Sequence, residues 1–191
     1  MNRKKVNIIN TELPKKGAFI INTEHNFPKL HTLMVVSGKR GGGKSVAVSK
    51  FIKECKKKHY YDRVYLISPT YNSNKQIWDI CDIKEDDVFE PELGIIKVIK
   101  EKIEEEKLEW DTFLEEKKLY QKFKKELKDK PIEFIDDENL IKYLELGFLD
   151  KKEPPEWKYE VEQPPRIGVI FDDCINTEVM ARRSSGLTNF L

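Results

Sequence analysis

The sequence predicts an α/β fold with a mainly parallel sheet, and three observations carry that prediction. A glycine-rich stretch, Gly38-Lys39-Arg40-Gly41-Gly42-Gly43-Lys44-Ser45, lies between a short apolar run, Leu33-Met34-Val35-Val36, and a segment of helical character from Val46 to Lys58. A second apolar run, Arg63-Val64-Tyr65-Leu66-Ile67-Ser68, has the continuous hydrophobicity of a strand buried on both faces. A third, Arg166-Ile167-Gly168-Val169-Ile170-Phe171, ends in two adjacent acids, Asp172 and Asp173.

At 191 residues the chain is long enough for one domain with its own core. Residues 1–31 read as a β-rich lead-in, 32–90 as the core around the glycine loop, 95–160 as a charged helical insertion and 165–191 as the acidic strand and the start of the next segment. Lys and Arg number 35 against 34 Asp and Glu, a net charge of +1. Bulk charge therefore does not identify a polyanionic partner, and any basic surface must be local. Charged residues make up 36% of the chain, against about 25% in an average domain. That excess requires a long, solvated segment. No apolar region follows the basic N-terminus as in a signal peptide, and no apolar run is long enough to span a bilayer, so secretion and a membrane partner are not expected. Cys55, Cys81 and Cys174 are scattered without a C-x-x-C pair. This argues against structural zinc or a disulfide framework, fits a reducing compartment, and leaves Cys55 and Cys81 as ordinary partly buried residues.

In the lead-in, Val6-Asn7-Ile8-Ile9 and Ala18-Phe19-Ile20-Ile21 are β-like and flank the turn Pro14-Lys15-Lys16-Gly17. They read as a hairpin or edge strand. His25 and His31 lie on the approach to the glycine loop, where a lone histidine is incidental more often than it contacts a nucleotide base.

Leu33–Val36 reads as a buried parallel strand feeding the glycine loop, which fits the phosphate-binding pattern G-x-x-x-x-G-K-[ST]. A strand, a glycine turn and a helix N-terminus together make an anion site, because backbone N–H groups and the helix dipole converge on negative charge. Gly38, Lys39, Arg40, Gly41, Gly42, Gly43, Lys44, Ser45 and Val46 are the nucleotide-binding candidates. Lys44 would reach the β- and γ-phosphates and the Ser45 hydroxyl would hold Mg²⁺, so ATP and Mg²⁺ are the expected ligands. The plainer reading is a flexible loop ending in a solvated lysine. With this motif, the fold expected is the three-layer sandwich of a P-loop NTPase.

The helix after the loop ends in Lys56-Lys57-Lys58-His59. Cations there suit the helix dipole; with Tyr60, Tyr61 and Arg63 beside them, the sharper reading is a nucleic-acid contact. The strand from Arg63 ends at Pro69-Thr70, and Tyr71-Asn72-Ser73-Asn74 reads as a continuing loop. Loops beyond the carboxyl end of a strand line ligand crevices in such sheets, which makes Thr70, Asn72 and Asn74 site neighbours or simple turn formers.

From Ile95 to Lys130 there is no glycine or proline, and Ile96, Ile99, Ile103, Trp110, Phe113, Tyr120, Phe123 and Leu127 recur at helical intervals. One long amphipathic helix fits, as does a hairpin broken near Trp110-Asp111-Thr112. Its role is a lid or partner-contacting arm, or more plainly a solvated insertion packed by one stripe. Pro131 interrupts it, Glu138–Leu146 reads as a further helix, and Pro154-Pro155 and Pro164-Pro165 bracket a linker-like stretch.

A P-loop NTPase needs a carboxylate at the end of a nearby strand for the Mg²⁺ shell, and Asp172 has that position. Neighbours on a strand point to opposite faces, so Asp173 takes a different role, that of general base to the attacking water. A water-activating acid favours hydrolysis over phosphate transfer. The plainer reading is a strand end followed by an acidic turn.

Gly38–Ser45, Ile67-Ser68-Pro69-Thr70 and Ile170-Phe171-Asp172-Asp173-Cys174 together resemble the poxvirus A32-like genome-packaging ATPases of large DNA viruses, of the FtsK/HerA superfamily. The likeness runs from about Phe27 to the C-terminus. It implies a homo-oligomeric ring in which ATP hydrolysis drives double-stranded DNA into a viral capsid through a capsid or portal component, inside the host cell or in the virion. It implies catalytic roles for Lys44 and Asp173, and Mg²⁺ contacts for Ser45 and Asp172. By analogy with large terminases, Arg40 is a candidate arginine finger. Family members have a further strand between the strand before the glycine loop and the Asp172 strand, so an incomplete sheet is expected in a chain that ends at Leu191. Arg182 and Arg183 would face DNA, a neighbouring subunit or solvent. The rival readings are a large-terminase ATPase domain, a small-molecule kinase whose Asp172 strand lies directly beside the strand before the loop, and a nucleotide-gated interaction module.

Overall fold

A three-stranded parallel sheet forms where the second and third apolar runs meet, and helices cover both of its faces. The computed structural model describes residues 32–129, 131–150, 153–175, 177 and 179. The lead-in strands, His25, His31, Arg182 and Arg183 lie outside these residues. The chain divides into Met1–Val35 and Val36–Leu191, and the packing below belongs to the second unit.

Helix α1 (Lys44–Lys57) starts directly from the glycine loop, and Lys56 and Lys57 occupy its last turn, where cations suit the dipole. Strand β1 (Arg63–Ile67) follows, then α2 (Tyr71–Trp78), the short β2 (Val88–Phe89), α3 (Ile95–Asp129), α4 (Asp137–Glu145) and β3 (Ile167–Phe171). The strand order is β2-β1-β3. β3 runs parallel to β1 along its whole length, from Arg63 opposite Ile167 to Ile67 opposite Phe171, and Leu66 and Ile67 pair with Val88 and Phe89 of β2.

Because side chains alternate along a strand, β1 serves two cores. Val64 and Leu66 pack with Ile52 of α1, Trp78 of α2 and Cys81. Tyr65 and Ile67 pack on the opposite face with Ile95, Ile96 and Ile99 of α3 and with Cys174 and Val179. Burial on both sides explains why this strand reads as an unbroken apolar run.

α3 is one unbroken helix of 35 residues, about 52 Å long at 1.5 Å per residue. Its stripe is shared between two clusters. The first turns lie on the sheet, and Tyr120 and Phe123 pack with Ile135, Tyr143 and Phe148 around α4. The segment between the proline pairs is irregular but packed onto α3. Trp157 meets Trp110 and Phe113 with ring centroids 4.8 and 5.2 Å apart. Lys158 and Tyr159 bond Glu106, and Lys117 Nζ donates to Glu162 at 2.5 Å. It is a strap on the insertion, not a loose linker.

Two sequence expectations are corrected. Leu33-Met34-Val35-Val36 is not a buried strand. It has no regular structure and all four side chains are exposed, Val35 to 81%. A strand must exchange its backbone N–H and C=O groups with a neighbour. Among the described residues β1 is the only strand that pairs with β3, and none pairs with this run. Tyr71–Asn74 is not a loop but the opening of α2, kinked at Asn74, whose φ of −117° and ψ of 17° are not helical. Cys55 and Cys81 are more buried than expected, and Cys174 is also inside.

Candidate functional site

The glycine loop folds into the mouth of α1 because its glycines allow what side chains would not. Gly41 and Gly43 have φ of 74° and 75°, the left-handed region where an L side chain is strained. Gly42 N–H donates to Lys39 O at 3.0 Å, and a Cβ at Gly42 would sit 3.0 Å from that same oxygen. Gly43 is the N-cap of α1, with no side chain capping the helix, so the positive end of the dipole opens onto the loop. Lys44 Nζ curls over the loop and donates to Gly38 O and Lys39 O, both at 3.1 Å. Arg40 is exposed at the turn and makes no hydrogen bond or ion pair among the described residues. Val46 continues the first turn of α1, and its carbonyl accepts from Ser49 Oγ at 3.0 Å.

Asp172 arrives from the other end of the chain. Its backbone N–H extends the β3 ladder by donating to Ile67 O at 3.0 Å. Its side chain then meets the first turn of α1, where Ser45 Oγ donates to Asp172 Oδ1 at 2.9 Å, 127 positions away in sequence. Burial is the largest influence on the Asp172 carboxyl and raises its pKa above the ordinary value. The Ser45 hydroxyl opposes this, the Asp173 charge adds to it, and Ser68 and Lys44 oppose it. Asp173 is exposed and has φ 58°. The backbone therefore turns out of the strand between the two acids and leaves both carboxylates in one electrostatic neighbourhood. The loop beyond is fastened by Cys174 Sγ to Ile67 O at 3.3 Å and by Thr177 Oγ1 to Cys174 O at 2.6 Å.

Comparison of the chain with protein-family models, with curated proteins and with solved structures finds no match.

The donor set suits a magnesium ion carried in with a phosphate ligand. A hydroxyl and a carboxylate stand 2.9 Å apart beside an unblocked helix N-terminus, and the carboxylate's raised pKa is relieved by a nearby cation. No group of three or more His, Cys, Asp or Glu residues able to hold a metal occurs among the described residues.

Of the residues singled out in sequence, the structure brings together Lys44, Ser45, Asp172 and Asp173. Thr70 and Asn74 form a hydrogen-bonded group with Ser68 just beyond the carboxyl end of β1, whereas Asn72 is exposed. Ser68 was not singled out. It is fully buried at the carboxyl end of β1, and that position was its sequence signal. The lysines at the end of α1 lie elsewhere. Lys56 and Lys57 line an open cleft of about 410 Å³ with His59, Tyr61, Asp62 and Lys158, beside the amino end of β1. Lys56 is held there by the Asp82 carbonyl at 2.5 Å. No helix among the described residues is long and apolar enough to cross a membrane.

Proposed function

We propose that this chain binds Mg²⁺·ATP on Gly38–Val46 and hydrolyses it, as the ATPase domain of a ring motor that drives double-stranded DNA into a viral capsid. The observation that supports the Mg²⁺-nucleotide reading is the Ser45–Asp172 hydrogen bond, and the acid beside it, Asp173, favours hydrolysis over transfer. A flexible glycine loop and an acidic turn have no physical reason to meet. A phosphate loop and a metal-supporting carboxylate do. The fold this implies is the P-loop sandwich, and helices on both faces of a parallel sheet are consistent with it.

Each residue then has a role. The loop N–H groups and the N-terminus of α1 receive the phosphates, and Lys44 exchanges its two carbonyl partners for phosphate oxygens. When bound, Mg²⁺ would neutralise charge building on the phosphates. Ser45 and Asp172 hold that ion's position, Asp172 through water. Asp173, exposed and turned out of the strand, takes the proton from the attacking water. Arg40, on the same loop and without a hydrogen-bond or ion-pair partner among the described residues, would swing toward the γ-phosphate as a cis finger. The use of this chemistry in DNA packaging, with a portal or capsid component as partner, rests on the resemblance of the three motifs.

Phosphate release from ATP, measured with and without Mg²⁺ and with a panel of acceptors, tests the proposal. Mg²⁺-dependent release that disappears in Lys44→Ala and rises with double-stranded DNA supports it. Transfer of phosphate to a nucleoside or sugar overturns it in favour of a kinase. Turnover indifferent to DNA in the assembled oligomer removes the motor.

A further inference from the structure

The second half of α3 carries positive charge that its neighbours do not match. Residues 101–116 hold eight acids against two lysines, whereas residues 117–128 hold six lysines against Glu126 alone. Glu126 is already engaged, accepting from Tyr143 Oη at 3.1 Å with Lys122 Nζ at 3.8 Å. Lys122 donates to Asn139 Oδ1 at 2.9 Å, and Lys117 is held by Glu162 at 2.5 Å. Lys118, Lys124, Lys125 and Lys128 are exposed and make no hydrogen bond or ion pair among the described residues.

A helix turns about 100° per residue, so these four lysines share about 120° of arc over about 15 Å of axis. A shallow cleft of about 260 Å³ lies on this face, lined by Tyr120, Gln121, Lys124, Lys125 and Lys128. Like charges three and four positions apart weaken a helix, and Lys125 and Lys124 stand at those spacings from Lys128. Elsewhere the four-residue spacing is used for attraction, Lys97 with Glu101 and Lys142 with Glu138. The helix dipole accounts for Lys128, the cation of the last turn, but its effect fades beyond that turn. The remaining charge is matched only by an anion from outside. The chain as a whole carries +1, so the attraction is local to this face.

The geometry selects among polyanions. A rigid row of cations suits a rigid row of phosphates, and each strand of duplex DNA presents one about every 3.4 Å of axis, so about four face a row of this length. Single strands are held on exposed aromatic platforms, whereas Tyr120, the ring of this face, is 6% exposed. A membrane surface takes a helix whose apolar side is open beside its lysines, and here Tyr120 and Phe123 are buried in the cluster around α4.

We propose that the lysine face of α3, formed by Lys118, Lys124, Lys125 and Lys128, binds the phosphate backbone of duplex DNA without regard to sequence. This deepens the reading of the chain as a DNA motor and rests on it for the use made of the contact. The charged insertion then has a task of its own, to hold DNA while the glycine loop holds nucleotide. None of the four lysines bonds to the loop or the acidic pair, so substitution separates the two activities.

The test is fluorescence anisotropy of a labelled random-sequence duplex with the full chain at graded KCl. On a log–log plot the wild-type affinity should fall linearly with salt. The triple variant Lys124→Gln, Lys125→Gln, Lys128→Gln, built with a good helix former, should flatten that slope by about 2.7 and keep wild-type ATP turnover without DNA. The same three positions changed to Arg should keep the wild-type slope. So should Lys97→Gln, Lys102→Gln, Lys107→Gln, which removes equal charge from the first half of the helix. A wild-type slope in the first variant overturns the proposal and leaves the motor reading standing, with DNA held elsewhere. Equal flattening in both Gln variants also overturns it, because bulk charge then explains the effect. Tighter binding of a single strand or of phosphatidylserine vesicles overturns the duplex as occupant, and self-association abolished by the first variant assigns the face to a second copy instead. A wild type that binds no duplex overturns this proposal and the motor reading together.

Discussion

The guanidinium of Arg63 donates to the carboxylate of Glu106 at 2.7 Å and so fastens the middle of α3 to the first residue of β1. Glu106 is only 1% exposed. It also accepts from Lys158 at 2.8 Å and from Tyr159 at 2.9 Å, while Arg63 holds Asp87 at 2.6 Å with its other nitrogen. The charged insertion and the strap leading into β3 are thus tied to the sheet at one buried node. That node makes the stability of the chain sensitive to acid. Burial pushes the Glu106 carboxyl up, but hydrogen bonds from Lys158, Arg63 and Tyr159 outweigh it and hold the pKa below its ordinary 4.5. A carboxylate lowered on folding contributes stability that is full above its unfolded value and is lost as pH falls through the folded one. Urea midpoints should therefore fall with pH below about 4.5, and less steeply in Glu106→Ala. At neutral pH that variant should lose about 1.5–3 kcal/mol, the scale of hydrogen bonds to a charged group, because Arg63 keeps Asp87 and Lys158 keeps Glu109. A neutral-pH midpoint equal to wild type would show that Glu106 is not buried among cations.

Asp173→Asn separates binding from chemistry. The substitution keeps the size of a side chain that is exposed. Nucleotide affinity should be unchanged while kcat falls by about 10²- to 10⁴-fold, as expected for loss of a general base. Steady-state kinetics with a parallel binding titration reads both, and normal turnover would remove Asp173 from the mechanism.

A pair of apolar substitutions distinguishes the exposed run before the glycine loop from the core under the sheet. Val35 is exposed, so Val35→Asp should change stability by no more than about 0.5 kcal/mol. Ile99, fully buried against Tyr65 and Ile67, should cost about 2–5 kcal/mol as Ile99→Ala. Equal losses in thermal or urea unfolding would mean that Val35 is packed.

The cysteines give a chemical measure of the same cores. Burial pushes the thiols of Cys55, Cys81 and Cys174 up to about 11, which leaves little thiolate at neutral pH. A maleimide or disulfide reagent should label all three only slowly in the folded protein and rapidly in urea. Fast labelling of Cys174 in the native state would show that the loop after Asp173 opens.

Within the fold, the sequence by itself determined the elements whose own residues decide them. Val64-Tyr65-Leu66-Ile67 is apolar on both faces and is a strand under any partner of suitable shape. The helical recurrence of apolar residues from Ile96 to Phe123 makes a helix without help from its neighbours. Gly41, Gly42 and Gly43 meet a backbone requirement that only glycine fulfils, and the Asp172-Asp173 pair marks a strand end. The tertiary structure alone decided everything that depends on a second segment. Leu33–Val36 has the composition of a strand but no paired neighbour among the described residues, and strand formation is a property of two chains of hydrogen bonds and not of one. Glu106 falls on the apolar stripe of α3, between Ile103 and Trp110, yet nothing local separates it from Glu104 and Glu105. Its role comes from Arg63 and Lys158, 43 and 52 positions away. The full burial of Ser68 is likewise decided by what packs around the end of β1. The meeting of Ser45 with Asp172 is the same kind of fact, since parallel pairing of β3 with β1 carries an acid from the far end of the chain to the first turn of α1.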